Sequence, residues 1–223
     1  MKLTVPACMS VNAGYVDTAG FLALQGLFTA HVTGNFVTLG AALVNGSAGA
    51  AAKLLALPVF CLVIVATRLF SVVLPRLGLP ILRTMLSLEL ALLVLGALLA
   101  ILYGPFHADD QGPVIATGMA LVAAMAIQNA ASRIHLGTAP PTTLMTGTTT
   151  QIMIDLADLL RGVPEEATAG ARLRLAKMTA NVVAFALGCG AGALAFAVCG
   201  PWCFVVPPLL ALAPVLMPES ADA

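Results

Sequence analysis

Two short polar triplets, Thr33-Gly34-Asn35 and Thr146-Gly147-Thr148, break an otherwise oily chain at matching places in its two halves. Each leads into an apolar run too short to cross a bilayer, and paired breaks of this kind mark the substrate site in many membrane transporters. At each break a helix would begin afresh, with Thr33 or Thr146 as its N-cap and its free amides aimed at the bilayer middle. A helix N-terminus carries about +0.5 charge, so two converging ends supply about one positive charge, enough to hold a carboxylate, a phosphate-like group or a small inorganic anion. The expected site is a binding site without catalytic residues, formed by Thr33, Gly34, Asn35, Thr146, Gly147 and Thr148.

Asp17 and Asn129 join that set, because each lies on the helix leading into its triplet, 16 residues before Thr33 and 17 before Thr146. A carboxylate inside a membrane is expensive and usually functional. Two readings of Asp17 stand side by side. If it is protonated when substrate is bound, it is a proton-coupling group and an anion or zwitterion fits the site. If it is ionised, the helix ends are its counter-charge and the ligand is a cation or a neutral molecule. His31, just before the first triplet, could relay protons or bond loop carbonyls. Arg68 either snorkels to the cytoplasmic surface or pairs with Asp17, and Glu89, seven residues into its span, reads as lying near the inner surface.

Composition sets the environment: 223 residues, 60% hydrophobic and 9% charged, with a mean hydropathy of +1.02, carry more apolar surface than a soluble domain of this length could hide. Net charge is zero and no basic stripe interleaves with aromatics, so nucleic acid is not an expected partner. The five cysteines lie mostly in apolar runs and form no ligand-like pair; neither a metal nor another cofactor is expected. Lys2 precedes an apolar run, but Asn12, Asp17 and the lack of a small-residue cleavage site indicate a segment that is retained. Ser132 and His135 lack a third partner, so an enzyme is not expected.

The elements that must position these residues are apolar stretches at about 5–27, 36–47, 51–75, 82–103, 112–136, 148–160, 172–199 and 201–217. A span needs roughly 20 residues, which leaves the second and sixth too short. Arg76 and Arg83 place the 76–83 loop in the cytoplasm, Asp109 and Asp110 place 104–112 outside, and Arg161, Arg172, Arg174 and Lys177 call for 161–177 inside. The expected architecture is all-α and polytopic: about six transmembrane helices plus two short re-entrant half-helices, in one membrane domain over 1–223. Internal repeats at about 1–103 and 112–217 would form an inverted 3+3 pair. Lys53, in an outer loop, is the residue against it. Ala180, Ala184, Gly188 and Gly192 form a smooth stripe that fits internal packing or a homodimer contact.

The runs Ala13-Gly14-Tyr15-Val16-Asp17, Gly20-Phe21-Leu22 and His31-Val32-Thr33-Gly34-Asn35, with Asn129-Ala130 and Met145-Thr146-Gly147-Thr148, resemble the YoaK-like family of bacterial integral membrane proteins. The resemblance covers essentially the whole chain. It implies a small multi-pass inner-membrane protein, with both termini in the cytoplasm on the charge pattern above, and does not specify a substrate. The residues themselves point to a transporter or channel for a small polar or anionic solute, proton-coupled under the first reading of Asp17. The alternative is a non-transporting membrane scaffold or subunit acting through its small-residue stripe.

Overall fold

Thr4 starts the first helix by accepting the Ala7 N–H on its hydroxyl, with a proline in the first turn where a missing N–H costs nothing. In the computed structural model, residues 4–46, 48–137, 140–143, 145–162 and 165–217 are described. They form α1 Val5–Ala23, α2 Asn35–Asn45, α3 Ala50–Val73, α4 Ile81–Tyr103, α5 Gln111–His135, α6 Met145–Arg161, α7 Glu165–Cys199 and α8 Val206–Leu216. Short 3-10 turns at Val32–Gly34, Leu74–Leu77 and Gly200–Val205 lead into α2, close α3 and join α7 to α8. Among the described residues no strand occurs.

Among the described residues, four stretches are long and apolar enough to cross a membrane: Ala50–Leu77, Ile81–Tyr103, Gln111–His135 and Thr168–Leu216. The last includes both α7 and α8. Helix α1 is absent from that set because Asn12, Asp17 and Thr18 dilute its hydropathy, and it tolerates them because protein encloses it: Ala13, Val16 and Ala19 are fully buried. The outward faces of α3, α4 and α7 instead expose Leu62, Leu102, Leu194 and Val198. A polar-bearing centre inside an apolar exterior is the arrangement expected of a protein solvated by lipid.

The pairing of helices follows a pattern. Helix α1 packs on α7 and α8, whereas α5 packs on α3 and α4; likewise α2 rests on α3 and α6 on α7. Every one of these contacts has a counterpart when the first four helices are exchanged with the last four. Directions agree as well. Gly188 meets the Val11 backbone and Gly192 that of Tyr15, so α1 and α7 run parallel. Val63 packs near Ile127 and Ala131 while Ala52 and Val114 share the other end, so α3 and α5 are parallel too. Helix α8 runs back along α1 and α4: Tyr15 donates to the Cys203 carbonyl at 2.9 Å, Pro201 abuts Gly104, and Val215 joins Met9, Leu86 and Leu136.

The glycines of the small-residue stripe, Gly188 and Gly192, pack inside the chain. A Cβ on Gly188 would overlap the Val11 carbonyl, and one on Gly14 would overlap that of Phe185, so backbone lies directly on backbone across the α1–α7 seam. Gly190, on the other side of α7, has nothing near it. Gly188→Val should therefore lower stability by about 3 kcal/mol, seen as a fall in the unfolding midpoint in detergent, while Gly190→Ala should leave that midpoint unchanged.

Candidate functional site

Helix α1 stops at Ala23, and the chain reverses through Gln25 and Gly26, whose φ values of 57° and 79° lie in the left-handed region. Glycine takes that conformation without strain, whereas a side chain at position 26 would be strained by the backbone angle itself. The reversed strand of chain then runs back beside α1 until it meets Asp17, six residues before the helix end, or about 9 Å along it. There Asp17 Oδ1 accepts the Thr29 and Ala30 N–H groups, each at 2.7 Å, and the His31 N–H at 3.4 Å. Asp17 Oδ2 faces His31 Nδ1 at 2.7 Å. The carboxylate is thus a template for a stretch of irregular backbone, filling the place that water would take in a soluble loop.

Asn35 closes the same fold-back. Its Oδ1 accepts the Phe28 N–H at 2.9 Å and its Nδ2 donates to the Phe28 carbonyl at 2.8 Å, pairing both main-chain groups of one residue. The Phe28 ring stacks near Phe21, with centroids 4.8 Å apart, and covers Gly34. From here α2 climbs back until Gly49 rests on Gln25.

The second half repeats the device with different chemistry. Helix α5 ends at His135, and its terminal residue Leu136 has φ −117° and ψ 33°, close to the −110° and 45° of Leu24. After a return whose residues 138 and 139 lie outside the described residues, Thr143 donates its hydroxyl to Asn129 Oδ1 at 2.5 Å. Asn129 is again six residues before its helix end, and Asn181 of α7 holds the return by donating to the Pro140 carbonyl at 3.1 Å. Asp17 to His31 and Asn129 to Thr143 are both spacings of 14 residues.

The two fold-backs touch. The His31 imidazole, besides its bond to Asp17, interacts with the main chain of Thr143, and it meets Phe185 of α7 edge-on with ring centroids 5.1 Å apart. Asp17–His31 and Thr143–Asn129 are therefore two hydrogen-bonded pairs, one from each half, brought into one polar cluster by the nearness of the His31 ring to the Thr143 main chain. Its outer members are buried or half-buried, and His31 has a side chain 34% exposed against 6% for Asp17. A neutral imidazole carries an N–H on one ring nitrogen and a lone pair on the other, so the Asp17–His31 pair can hold a proton.

Several expectations are corrected. Thr33 is exposed within a 3-10 turn, and the residue capping α2 is Gly34, with no side-chain bond; α6 starts at Met145, so Thr146 and Gly147 sit exposed inside its first turn and Thr146 is not its cap. Thr148 is buried on the inner face of α6. Arg68 is exposed on α3 and does not pair with Asp17, whose two oxygens are taken by residues 29–31. Two cavities of about 580 and 260 Å³ lie between α1 and α7 and beside Gln25 and Gly49, and neither borders either triplet. Thr29, Thr143 and Phe185 were not among the expected site residues; the repeated 14-residue spacing was the available signal for Thr143.

A family model described as "Protein of unknown function (DUF1275)" matches residues 5–217. No curated protein and no solved structure matches the chain.

Removing the template should expose what it holds. Asp17→Ala leaves two buried N–H groups without acceptors and should cost about 3 kcal/mol, whereas Asp17→Asn keeps one acceptor and should lose less than half of that, both read from unfolding midpoints in detergent.

Proposed function

We propose that this chain, which belongs to the DUF1275 family of proteins of unknown function, is a membrane transporter or channel for a small polar solute and has no enzymatic role. In this reading α1, α3, α4, α5, α7 and the 3-10 turn with α8 are six crossings. Helices α2 and α6 are half-penetrating, and the two halves form an inverted repeat in the bacterial inner membrane with both termini in the cytoplasm. Support comes from the exchange symmetry of the helix contacts, from the paired fold-backs and from the basic residues Arg161, Arg172, Arg174 and Lys177 near the start of α7.

One observation carries the proposal: His31 joins the fold-back of one half to that of the other. An imidazole with a proton on Nδ1 alone donates to Asp17 and presents only a lone pair at Nε2. With a second proton, Nε2–H can also donate to the Thr143 carbonyl. Protonation of one ring thereby decides whether the two halves are tied, which is the coupling an alternating-access carrier needs. Because the N–H groups ahead of α2 already serve the Asp17 carboxylate, the reading favours a neutral or cationic solute over an anion. Of the small-residue stripe on which the scaffold alternative relies, Gly188 and Gly192 pack against α1.

A thermal-shift panel of polyols, amino acids, small amines and small anions tests the proposal, since a ligand of the folded form raises its apparent stability. At least one neutral or cationic member should raise the wild-type midpoint and lose at least 10-fold in affinity in His31→Ala. Stabilisation by anions alone, or by no member, counts against it. Once such a solute is known, Asp17→Asn should abolish proton movement coupled to its uptake in proteoliposomes.

A further inference from the structure

Three buried polar side chains, on α1, α4 and α5, lie near one another in the core apart from the His31 cluster. Glu89 of α4 is 2% exposed, Asn12 of α1 1% and Gln128 of α5 0%. Asn12 Nδ2 donates to Glu89 Oε1 at 3.4 Å, and Gln128 Nε2 donates to the Met9 carbonyl at 3.0 Å, one turn from Asn12. The α4–α5 register brings Glu89 to within about a turn of Gln128, because Gly96 lies on Leu121 while Met85 clusters with Ile127 and Ala131. Glu89 is therefore enclosed by neighbouring helices.

What this cluster lacks is specific. Asn12 Oδ1 and Gln128 Oε1 have no hydrogen-bond partner, and among the described residues no Lys, Arg or His pairs with Glu89. Both amides have already used an N–H, so the unmet groups here are oxygens: two amide carbonyls within about a turn of a carboxyl group. Leaving such acceptors dry costs about 1–3 kcal/mol each. A hard cation satisfies several oxygens at once, where a single added proton serves only one acceptor. With one carboxylate, a monovalent ion neutralises the site and a divalent one would bury an excess charge.

We propose that Glu89, Asn12 Oδ1 and Gln128 Oε1 bind Na⁺ between α1, α4 and α5. The site is five residues, about 8 Å, along α1 from Asp17, and it links helices of both halves, so the bound ion would stiffen the contact between them. The proposal goes beyond the transport reading and stands without it, since binding needs no solute.

The test is thermal unfolding of the purified full chain in detergent, in NaCl, KCl or choline chloride at equal ionic strength and fixed pH. Wild type should show a saturable rise of about 3–6 °C with Na⁺ that choline does not give, and Glu89→Gln and Asn12→Leu should each remove it. Identical midpoints in all three salts, or a Na⁺ effect that persists in Glu89→Gln, overturns the proposal. Should Glu89→Gln fail to fold, Gln128→Leu takes its place, and a wild type that responds to pH but not to Na⁺ also overturns it.

Discussion

A carboxylate that cannot reach water must find donors in the protein, and Asp17 finds them in the backbone of the chain that follows it. That requirement fixes how far the chain returns: Thr29, Ala30 and His31 have to lie beside a point about 9 Å inside α1. The return in turn sets where α2 begins, and hence where it leaves the chain before α3. Asn35 reinforces the same geometry by pairing both main-chain groups of Phe28. Without the buried charge, the irregular segment between α1 and α2 would hold unpaired polar groups in an apolar environment, which costs several kcal/mol per group.

Asn129 holds the second half's return at the equivalent place by a single bond, accepting the Thr143 hydroxyl while its N–H goes to Met125 of its own helix, where Asp17 accepts main-chain N–H groups. The halves are alike in path and unlike in chemistry. The helices around this centre are built for close approach, with Gly14, Gly188 and Gly192 letting α1 and α7 meet backbone to backbone.

Much of the scaffold was legible because apolar runs and helices share their limits: 82–103 became Ile81–Tyr103 and 112–136 became Gln111–His135. The family resemblance held over residues 5–217. Legibility failed where tertiary contacts override local patterns. Thr33 and Thr146 look like caps, but a 3-10 turn starts the first short helix and the second begins before Thr146. Asn35 reads as a ligand contact, yet its amide is consumed by Phe28. Glu89 reads from its place near a charged loop, and its enclosure between helices, with Asn12 of α1 against it, is a tertiary feature that the local pattern does not carry. Asp17 and Asn129 were visible as an equivalent pair from their places ahead of the triplets. Their partners, His31 and Thr143, were not, because the match is in what each partner touches and not in residue type.

The central claim is that the two fold-backs meet through His31 and Thr143. Cysteines placed at both positions in a variant lacking the five native ones, then oxidised mildly in native membranes, test it most directly. The account predicts a disulfide between positions 31 and 143 within one chain, formed far faster than one between 31 and 68. Two cysteines that remain separately alkylated under the same conditions would contradict it.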